Sequence, residues 1–288
     1  MLHHSASVRE LIDRAIQEDL SGGDPTTDAL VPPDATGQAL MSAKAGGVLC
    51  GGEASLEVFR RLDPRLEGHA LLEDGATLHP GDLIARLAGS VNSLLKGERT
   101  ALNFIQHMSG IATETARYVD AVRGLPVRIV DTRKTLPGLR ALEKYAVRVG
   151  GGHNHRYNLA DGVLVKDNHL AVVRARGLSL AHAVRQARER ASHTLKVEIE
   201  VISLAEAREA LEAGADLLLL DNMSLEEMRQ VVALAGKKAL LEASGGITLE
   251  RVRAVAETGV HIISVGALTH SARALDITVD LLLDQPIV

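Results

Sequence analysis

Residues 196–221, KVEIEVISLAEAREALEAGADLLLLD, indicate the fold of the larger part of the chain. A strand at residues 196–201 is followed by a helix at 204–213 and then by an apolar strand at 216–220. Strands that are joined by a helical crossover pair in parallel, and helices cover the sheet that they form. This stretch therefore predicts one strand–helix–strand unit of a parallel α/β fold.

The same alternation of strand and helix runs from residue 127 towards the C-terminus. Six strand–helix pairs are predicted, fewer than the eight pairs of a complete barrel. No G-x-G-x-x-G fingerprint follows the first strand, which argues against a doubly wound dinucleotide-binding sheet. We therefore predict an incomplete, open TIM-like α/β barrel. Its strands are predicted at residues 127–130, 162–165, 196–201, 216–220, 239–242 and 261–265, and its helices at 137–149, 178–192, 204–213, 225–235, 249–258 and from 271.

The N-terminal part of the chain has a different pattern. A helix is predicted from residue 8, with Ser7 as its N-cap. Short extended segments then alternate with glycine and proline turns, and a long helical segment covers residues 91–122. These features predict two domains, an N-terminal α/β sandwich at residues 1–110 and a catalytic barrel at residues 111–274.

The composition limits the classes of function. The net charge of −5 argues against a general nucleic-acid-binding surface. No apolar run approaches the roughly 20 residues that cross a bilayer, and the N-terminus has no apolar signal core. The single cysteine, Cys50, excludes an intrachain disulfide framework and fits a reducing compartment. We expect a soluble, cytoplasmic protein with no membrane or nucleic-acid partner.

Charged or hydroxyl-bearing residues follow nearly every predicted barrel strand. In such barrels the carboxyl ends of the strands form the catalytic face. A single polar residue there can simply mark the point where a strand leaves the core. However, Lys166, Glu200 and Asp221 directly flank apolar runs, and a buried unpaired charge is costly, so these three should face one another or a polar ligand. Further polar residues at the strand ends are Asp131, Arg133, Lys134, Asp167, His169, Asn222, Glu242, Ser244 and Ser264.

Glycine-containing loops close the last two barrel strands. Loops in this position lead into helix N-termini, whose backbone N–H groups can hold a phosphate. The carboxylate pair of Glu200 and Asp221 can hold Mg²⁺ or sugar hydroxyls beside that phosphate. A phosphorylated sugar with Mg²⁺ is therefore one predicted ligand. The two loops consist of Ser244, Gly245 and Gly246, and of Gly266, Ala267 and Leu268.

Positive charge is concentrated in residues 131–169, at the first two strand ends. This charge suits a second anion, ideally one with planar carboxylates that arginine can hold in a bidentate manner. The residues concerned are Arg133, Lys134, His153, His155, Arg156, Lys166 and His169.

Two other interpretations of this stretch are open on spacing alone. His153-x-His155 is a spacing that can bind a metal, although the adjacent Arg156 would repel the ion. Lys166 could form a Schiff base with a carbonyl substrate. Arg99, a lone arginine on the long helix, would be left out of the site on spacing alone.

Seven motifs spread from residue 18 to residue 270 form a recognisable pattern. Together they resemble the quinolinate phosphoribosyltransferase family, also called nicotinate-nucleotide pyrophosphorylases (carboxylating). The motifs are EDLSGGDPTT (18–27), GERTALNFIQHMSGIAT (97–113), the stretch 131–169 that begins DTRKTLPG and ends LVKDNH, EIEV (198–201), LLLDNMS (218–224), EASGGI (242–247) and ISVGALTH (263–270).

This resemblance implies an N-terminal α/β sandwich joined to an incomplete α/β barrel, with the tail at 275–288 returning to the sandwich. It implies a homodimer, or a higher oligomer, in which the partner's N-terminal domain completes each active site. Arg99, within GERTALN, would contact quinolinate across that interface. The implied reaction is phosphoribosyl transfer from phosphoribosyl diphosphate (PRPP) to quinolinate with decarboxylation. It gives nicotinate mononucleotide, diphosphate and CO₂ in de novo NAD biosynthesis, with Mg²⁺ as cofactor.

The resemblance also implies roles for the acceptor half of the site. Arg133, His155 and Arg156 would hold the two carboxylates of quinolinate. Lys134 and Lys166 would lie between this acid and the diphosphate, and both are expected to be catalytic.

For the donor half, the resemblance implies that Glu200 and Asp221 are catalytic and bind ribose hydroxyls and Mg²⁺. The sugar 5-phosphate would be held by Ser244, Gly245, Gly246, Ser264, Gly266, Ala267 and Leu268. Three alternatives stay open: a paralogue of the same fold with another substrate, a Schiff-base aldolase that uses Lys166, and a non-catalytic protein that binds an anionic metabolite.

Overall fold

The computed structural model describes residues 5–284, which form two compact units. The first unit contains the residues up to Ala116, Thr135–Gly151 and the residues from Leu268 onward. The second contains Arg117–Lys134 and Gly152–Ala267. The predicted single division after residue 110 stays a prediction. Among the described residues, no helix is both long enough and apolar enough to cross a membrane.

The strands of the first unit are β1 (Thr36–Ala43), β2 (Gly47–Val48), β3 (Glu67–Ala70), β4 (Thr77–Leu78), β5 (Leu83–Ser90) and β12 (Ile277–Leu283). Four of them form an antiparallel sheet in the order β12-β1-β5-β3, and β2 pairs with β4. Residues along β1 alternate between buried and more exposed positions, because one face of the sheet packs on a core. The register of β1 and β12 runs from Gly37↔Leu283 to Ala43↔Ile277. Of the predicted returning tail, residues 285–288 lie outside the described part of the chain.

The helices that lie wholly or largely in the first unit are α1 (Ala6–Leu20), α2 (Pro25–Leu30), α3 (Gly52–Leu62), α4 (Val91–Ala121) and α5 (Arg140–Val149). The prediction of Ser7 as the first N-cap is wrong, because Ser5 is extended and its carbonyl oxygen accepts the first helical hydrogen bonds. The predicted start of a helix at Pro137 is also wrong. Gly138 has a φ of +82°, which is incompatible with an α-helix, so α5 begins only after it.

Helix α5 packs closely on α4. A Cβ atom on Gly150 would lie only 2.4 Å from the carbonyl oxygen of Ala112, so the two backbones approach each other at a position that requires glycine. His107 Nε2 lies 3.0 Å from Oε1 of the buried Glu143. These contacts explain why α5 groups with the first unit, although it lies in sequence between two strands of the second.

The second unit contains the six predicted barrel strands: β6 (Arg128–Val130), β7 (Val163–Val165), β8 (Val197–Val201), β9 (Leu217–Asp221), β10 (Leu240–Ser244) and β11 (Ile262–Ser264). They form one parallel sheet in the order β6-β11-β10-β9-β8-β7. β6 and β7 lie at its two edges, so the sheet is open. The prediction of an α/β fold with an incomplete, open barrel is confirmed.

The helices of the second unit are α6 (Asp167–Ala175), α7 (Leu180–Arg190), α8 (Leu204–Glu212), α9 (Leu225–Ala235) and α10 (Leu249–Ala256), and α11 (Ala267–His270) follows β11. The sequence did not predict α6. It begins directly after Lys166, whose backbone N–H donates to Nδ1 of His169 at 2.9 Å. This contact caps the first turn and leaves His169 with a structural role.

Candidate active site

A cavity of about 660 Å³ opens at the carboxyl ends of the six parallel strands. All of the residues that line it belong to the second unit. Parallel strands direct their carboxyl ends to one edge of the sheet, which is why residues far apart in sequence meet here. Of the predicted site residues, the cavity collects Arg133, Lys134, His155, Arg156, Lys166, Glu200, Asp221, Ser244, Gly245, Gly246 and Ser264.

Four predicted site residues do not line this cavity. Arg99 lines a separate cavity of about 380 Å³ in the first unit, together with Glu18 and Asp19. Gly266 connects β11 to α11, Ala267 begins that helix, and Leu268 is fully buried. The roles that the resemblance implies for these four residues stay predictions.

On one side of the cavity a lysine and a glutamate form an ion pair. Lys166 Nζ donates to Oε2 of Glu200 at 3.1 Å, and Glu200 is buried while the lysine is partly exposed. An aldolase would form its Schiff base on this same Nζ atom, so the ion pair competes with that role. This contact disfavours the aldolase alternative.

The loop after β10 fits closely against the residue that follows Asp221. Gly245 has a φ of +89° and Gly246 a φ of +58°, both in the region that favours glycine. A Cβ atom on Gly245 would also lie 2.3 Å from the side-chain oxygen of Asn222. Glycine is therefore required at position 245 both by conformation and by space.

Two arginines, Arg133 and Arg156, also line the cavity. The Nε atom of Arg133 is buried and has no hydrogen-bond partner. Burial lowers the pKa of Arg156, the positive charge of Arg133 lowers it further, and the charge of Glu198 opposes both. Two adjacent guanidinium groups with an unsatisfied donor are suited to an anion with more than one acceptor oxygen.

His155 lies against two buried glutamates. Its Nε2 atom is 3.4 Å from Oε2 of Glu198 and 3.3 Å from Oε2 of Glu242. Burial alone lowers the pKa of His155, but its interactions with the two glutamates raise it to about 10. Burial raises the pKa of Glu198, which the histidine partly offsets. The imidazole is therefore held as a proton donor at the base of the cavity.

Comparison with known proteins places the chain in a family. The sequence model for the quinolinate phosphoribosyl transferase C-terminal domain matches residues 111–280, and the model for its N-terminal domain matches residues 24–109. The chain belongs to the quinolinate phosphoribosyl transferase family. The family predicted from the motifs is thereby confirmed.

Individual members of the family are similar over nearly the whole chain. The nicotinate-nucleotide pyrophosphorylase (carboxylating) of Mycobacterium leprae is 45% identical over 282 residues, which cover 96% of this chain and 97% of the relative. The probable enzyme of the same name from Bacillus subtilis is 41% identical over 278 residues, covering 96% and 94%. The crystal structure of NadC from Streptococcus pyogenes has a TM-score of 0.91 at 41% identity, covering 96% of this chain and 97% of that one.

Two glutamates of this member of the quinolinate phosphoribosyl transferase family were not predicted as site residues. Glu198 was not singled out from the sequence, and Glu242 was noted only as a residue at a strand end. A signal for Glu198 was present, because Glu198 and Glu200 alternate with apolar residues in β8 and so lie on the same face. All five residues of β8 are buried. A strand that buries two carboxylates needs cationic partners, and here these are His155 and Lys166.

Proposed function

We propose that the chain transfers the phosphoribosyl group of PRPP to quinolinate with loss of CO₂, giving nicotinate mononucleotide in de novo NAD biosynthesis. Its place in the quinolinate phosphoribosyl transferase family supports this activity. The observation that carries the proposal is the composition of one cavity. A buried, unpartnered arginine nitrogen lies in the same cavity as a lysine–glutamate pair and a diglycine loop.

The acceptor is proposed to bind on the arginine side. Quinolinate has carboxylates on adjacent ring carbons, and each guanidinium group can hold one planar carboxylate through two parallel hydrogen bonds. Arg133 and Arg156 are close enough for their charges to interact, so a dianion between them would relieve the repulsion. His155 adds a third positive charge, and Lys134 lines the same cavity.

The donor is proposed to bind on the carboxylate side. Backbone N–H groups of residues 244–246 can approach the 5-phosphate because two of these residues lack a Cβ atom. Ser264, Gly266, Ala267 and Leu268 are proposed to complete this phosphate site. Glu200 and Asp221 offer the carboxylate oxygens that Mg²⁺ prefers, so they fit this ion, which would neutralise part of the charge of the diphosphate.

The proposed chemistry requires no covalent enzyme intermediate. Lys134 and Lys166 neutralise the departing diphosphate, while Glu200 or Asp221 stabilises the positive charge that develops at the ribose carbon. The lone pair of the pyridine nitrogen then forms the bond to that carbon, which leaves the ring cationic. When the bond to the 2-carboxylate breaks, its electron pair stays on the ring carbon, and a proton takes the place of CO₂.

We also propose a homodimer, or a higher assembly of dimers, in which Arg99 reaches quinolinate in the active site of the other subunit. The resemblance of the GERTALN motif supports this role. A cytoplasmic location is proposed because the chain has one cysteine, and Cys50 is a buried free thiol.

Incubation with quinolinate, PRPP and Mg²⁺ tests the activity directly. We expect CO₂ and nicotinate mononucleotide in equal amounts, and no product when any one component is omitted. Absence of both products from folded protein would refute the proposal. Covalent trapping of a substrate carbonyl on Lys166 by borohydride would support the aldolase instead.

A further inference from the structure

Three buried carboxylates lie behind the loop that carries His155 and Arg156. Asp131, Glu198 and Glu242 are 0%, 6% and 1% exposed, and they come from the end of β6, from β8 and from β10. The proposed reaction uses none of them. Burial of three acids beneath a cationic site needs an explanation, because buried charge is stable only with partners.

Asp131 holds the backbone of this loop. Its Oδ1 atom accepts a hydrogen bond from the backbone N–H of His155 at 2.8 Å, and its Oδ2 atom accepts one from the side-chain amide of Asn154 at 2.6 Å. The backbone N–H of His153 donates to Ile129 at 2.9 Å, which extends the parallel sheet by one bridge. The position of the His155 backbone is thus fixed from the end of β6.

Glu198 and Glu242 act on the ring of the same residue. The backbone N–H of Arg156 donates to Nδ1 of His155 at 2.8 Å, which requires a lone pair on Nδ1 and a proton on Nε2. A fully protonated ring, as a pKa of about 10 implies, carries a hydrogen on both nitrogens. The two observations differ at Nδ1. The hydrogen bond belongs to the neutral ring of the conformation seen here, and the cationic ring must give this contact up. Both place a proton on Nε2, which faces the two glutamates.

The same three side chains have the composition of a metal site. The ligand atoms of His155, Glu198 and Glu242 all lie within 4.8 Å of one another. A metal on Nε2 would need a lone pair there, and Nδ1 would then have to carry the proton, where it would meet the N–H of Arg156. The positive charge of Arg156, which interacts with Glu198, also opposes a bound cation. We therefore assign a proton rather than a metal to this cluster.

We propose that Glu198 and Glu242 are positioning residues, which orient the His155 ring through its Nε2 proton and favour its cationic form beside Arg133 and Arg156 for the carboxylates of the acceptor. This inference rests on the proposed binding of quinolinate by those three residues. Oε1 of Glu198 and Oε2 of Glu242 are buried without a hydrogen-bond partner, so a positive charge on the nearby imidazole would stabilise both acids. If the two glutamates acted only through their negative charge, they would repel the dianion. Removing that charge would then tighten the binding of quinolinate.

The variants Glu198→Gln and Glu242→Gln, alone and combined, test the role at nearly constant shape. Asp216→Asn is the matched control, because Asp216 accepts a hydrogen bond from Val197 at 2.8 Å at the amino end of β8, away from the cavity. The two glutamates and the backbone N–H of Arg156 face the ring of His155, and the carboxylate of Asp131 accepts from its backbone N–H.

A histidine is cationic below its pKa. The wild-type ring should therefore stay largely protonated at pH 8.5, whereas a ring with the ordinary pKa of about 6.5 would be largely neutral there. In the double variant we expect the Kd for quinolinate, measured by calorimetry, to rise about tenfold or more at pH 8.5 and clearly less at pH 6. The Kd for PRPP should not change in the double variant, and the Asp216→Asn control should behave as wild type. Unchanged or tighter binding of quinolinate would overturn the proposal, and so would equal weakening at both pH values.

Nitrogen-15 NMR of histidine-labelled wild-type protein gives a second test that needs neither a glutamate variant nor a substrate. The His155 signals, assigned with His155→Gln, should show a proton on Nε2 throughout and a pKa well above the ordinary value. An ordinary pKa, or an Nδ1-protonated neutral ring, would refute the positioning role. Failure of the turnover assay would instead count against the proposed activity and leave this NMR result intact.

Discussion

The side-chain amide of Asn222 donates a hydrogen bond to Oδ2 of Asp221 at 2.9 Å. Its backbone N–H donates at the same time to the carbonyl oxygen of Ser244 at 3.0 Å. Among the described residues, Asn222 is the one non-glycine residue with a positive φ, at 54°. Asparagine tolerates this left-handed conformation better than most residues. A strained residue therefore orients the carboxylate at the end of β9 and anchors the loop that follows β10.

Asn222→Gly should lower kcat without unfolding the protein. Glycine adopts the same φ without strain, so this variant loses the hydrogen bond to Asp221 but keeps the backbone conformation. We expect kcat to fall roughly tenfold, because a hydrogen bond to a charged group contributes about 1.5 kcal/mol or more. Asn222→Ala is the comparison, since it loses the same bond and adds strain, and it should also melt at a lower temperature. Full activity of Asn222→Gly would show that the amide does not position Asp221.

Gly245→Ala should raise the KM for PRPP. The new methyl group would lie 2.3 Å from the Asn222 side chain, so the loop that is proposed to hold the 5-phosphate must shift. The control is Gly214→Ala, because Gly214 has a similar φ of +84° but nothing within 4 Å of a new Cβ atom, and it precedes the amino end of β9. Both variants should lose about 1 kcal/mol of stability from backbone strain. Steady-state kinetics should show the raised KM in Gly245→Ala alone; a normal KM would remove this loop from the phosphate site.

Arg133→Ala should weaken quinolinate binding far more than PRPP binding. The loss of two charge-assisted hydrogen bonds to one carboxylate predicts a rise of roughly a hundredfold in the Kd for quinolinate. Arg133→Lys keeps the charge but not the bidentate geometry, so its effect should be intermediate. Arg174→Ala is a suitable control, since this exposed residue pairs with Glu206 at 2.6 Å and does not line the cavity. Equal losses for the two ligands would contradict the assignment.

Asp63 provides a test of pH dependence outside the candidate site. The pKa of Asp63 is held well below its ordinary value by hydrogen bonds. They come from the side chain and the backbone N–H of Arg65 and from the hydroxyl of Ser93. A depressed carboxyl pKa stabilises the fold above the unfolded pKa, and this contribution is lost as pH falls through the folded value. Asp63→Asn should therefore destabilise the protein at pH 7 by only about 1 kcal/mol, because the Arg65 side chain is 87% exposed and solvent screens the pair.

The difference in stability between wild type and Asp63→Asn should remain from pH 7 down to about pH 4 and then narrow as the pH falls further. Urea unfolding at several pH values measures it. A difference that grows on acidification would mean that the carboxylate is not the stabilising form.

The periodicity of the second unit predicted its strands well. All six strands were expected within one or two residues of their observed bounds, because each is a short apolar run between turn signals. Helix α6 was missed, since its cap is the side chain of His169 rather than one of the usual N-cap residues. Lys144 on α5 is only 3% exposed, and the helical spacing did not predict this burial. Helical spacing shows which residues share a face but not which neighbour that face meets.

The sequence by itself determined the fold class, the family and the set of polar residues at the strand ends. These features depend on residue type and on local spacing, and both can be read directly from the sequence. Only the tertiary structure decided how those residues pair: Lys166 with Glu200, Asn222 with Asp221, and His155 between two buried glutamates. The first and the last of these contacts join residues that are far apart in the sequence, and they depend on burial and on distances of a few ångströms. The positive charge of residues 131–169 therefore suggested an anion from the sequence alone. The acids that hold His155 in place were identified only from the sheet order, in which β8 and β10 lie on either side of β9.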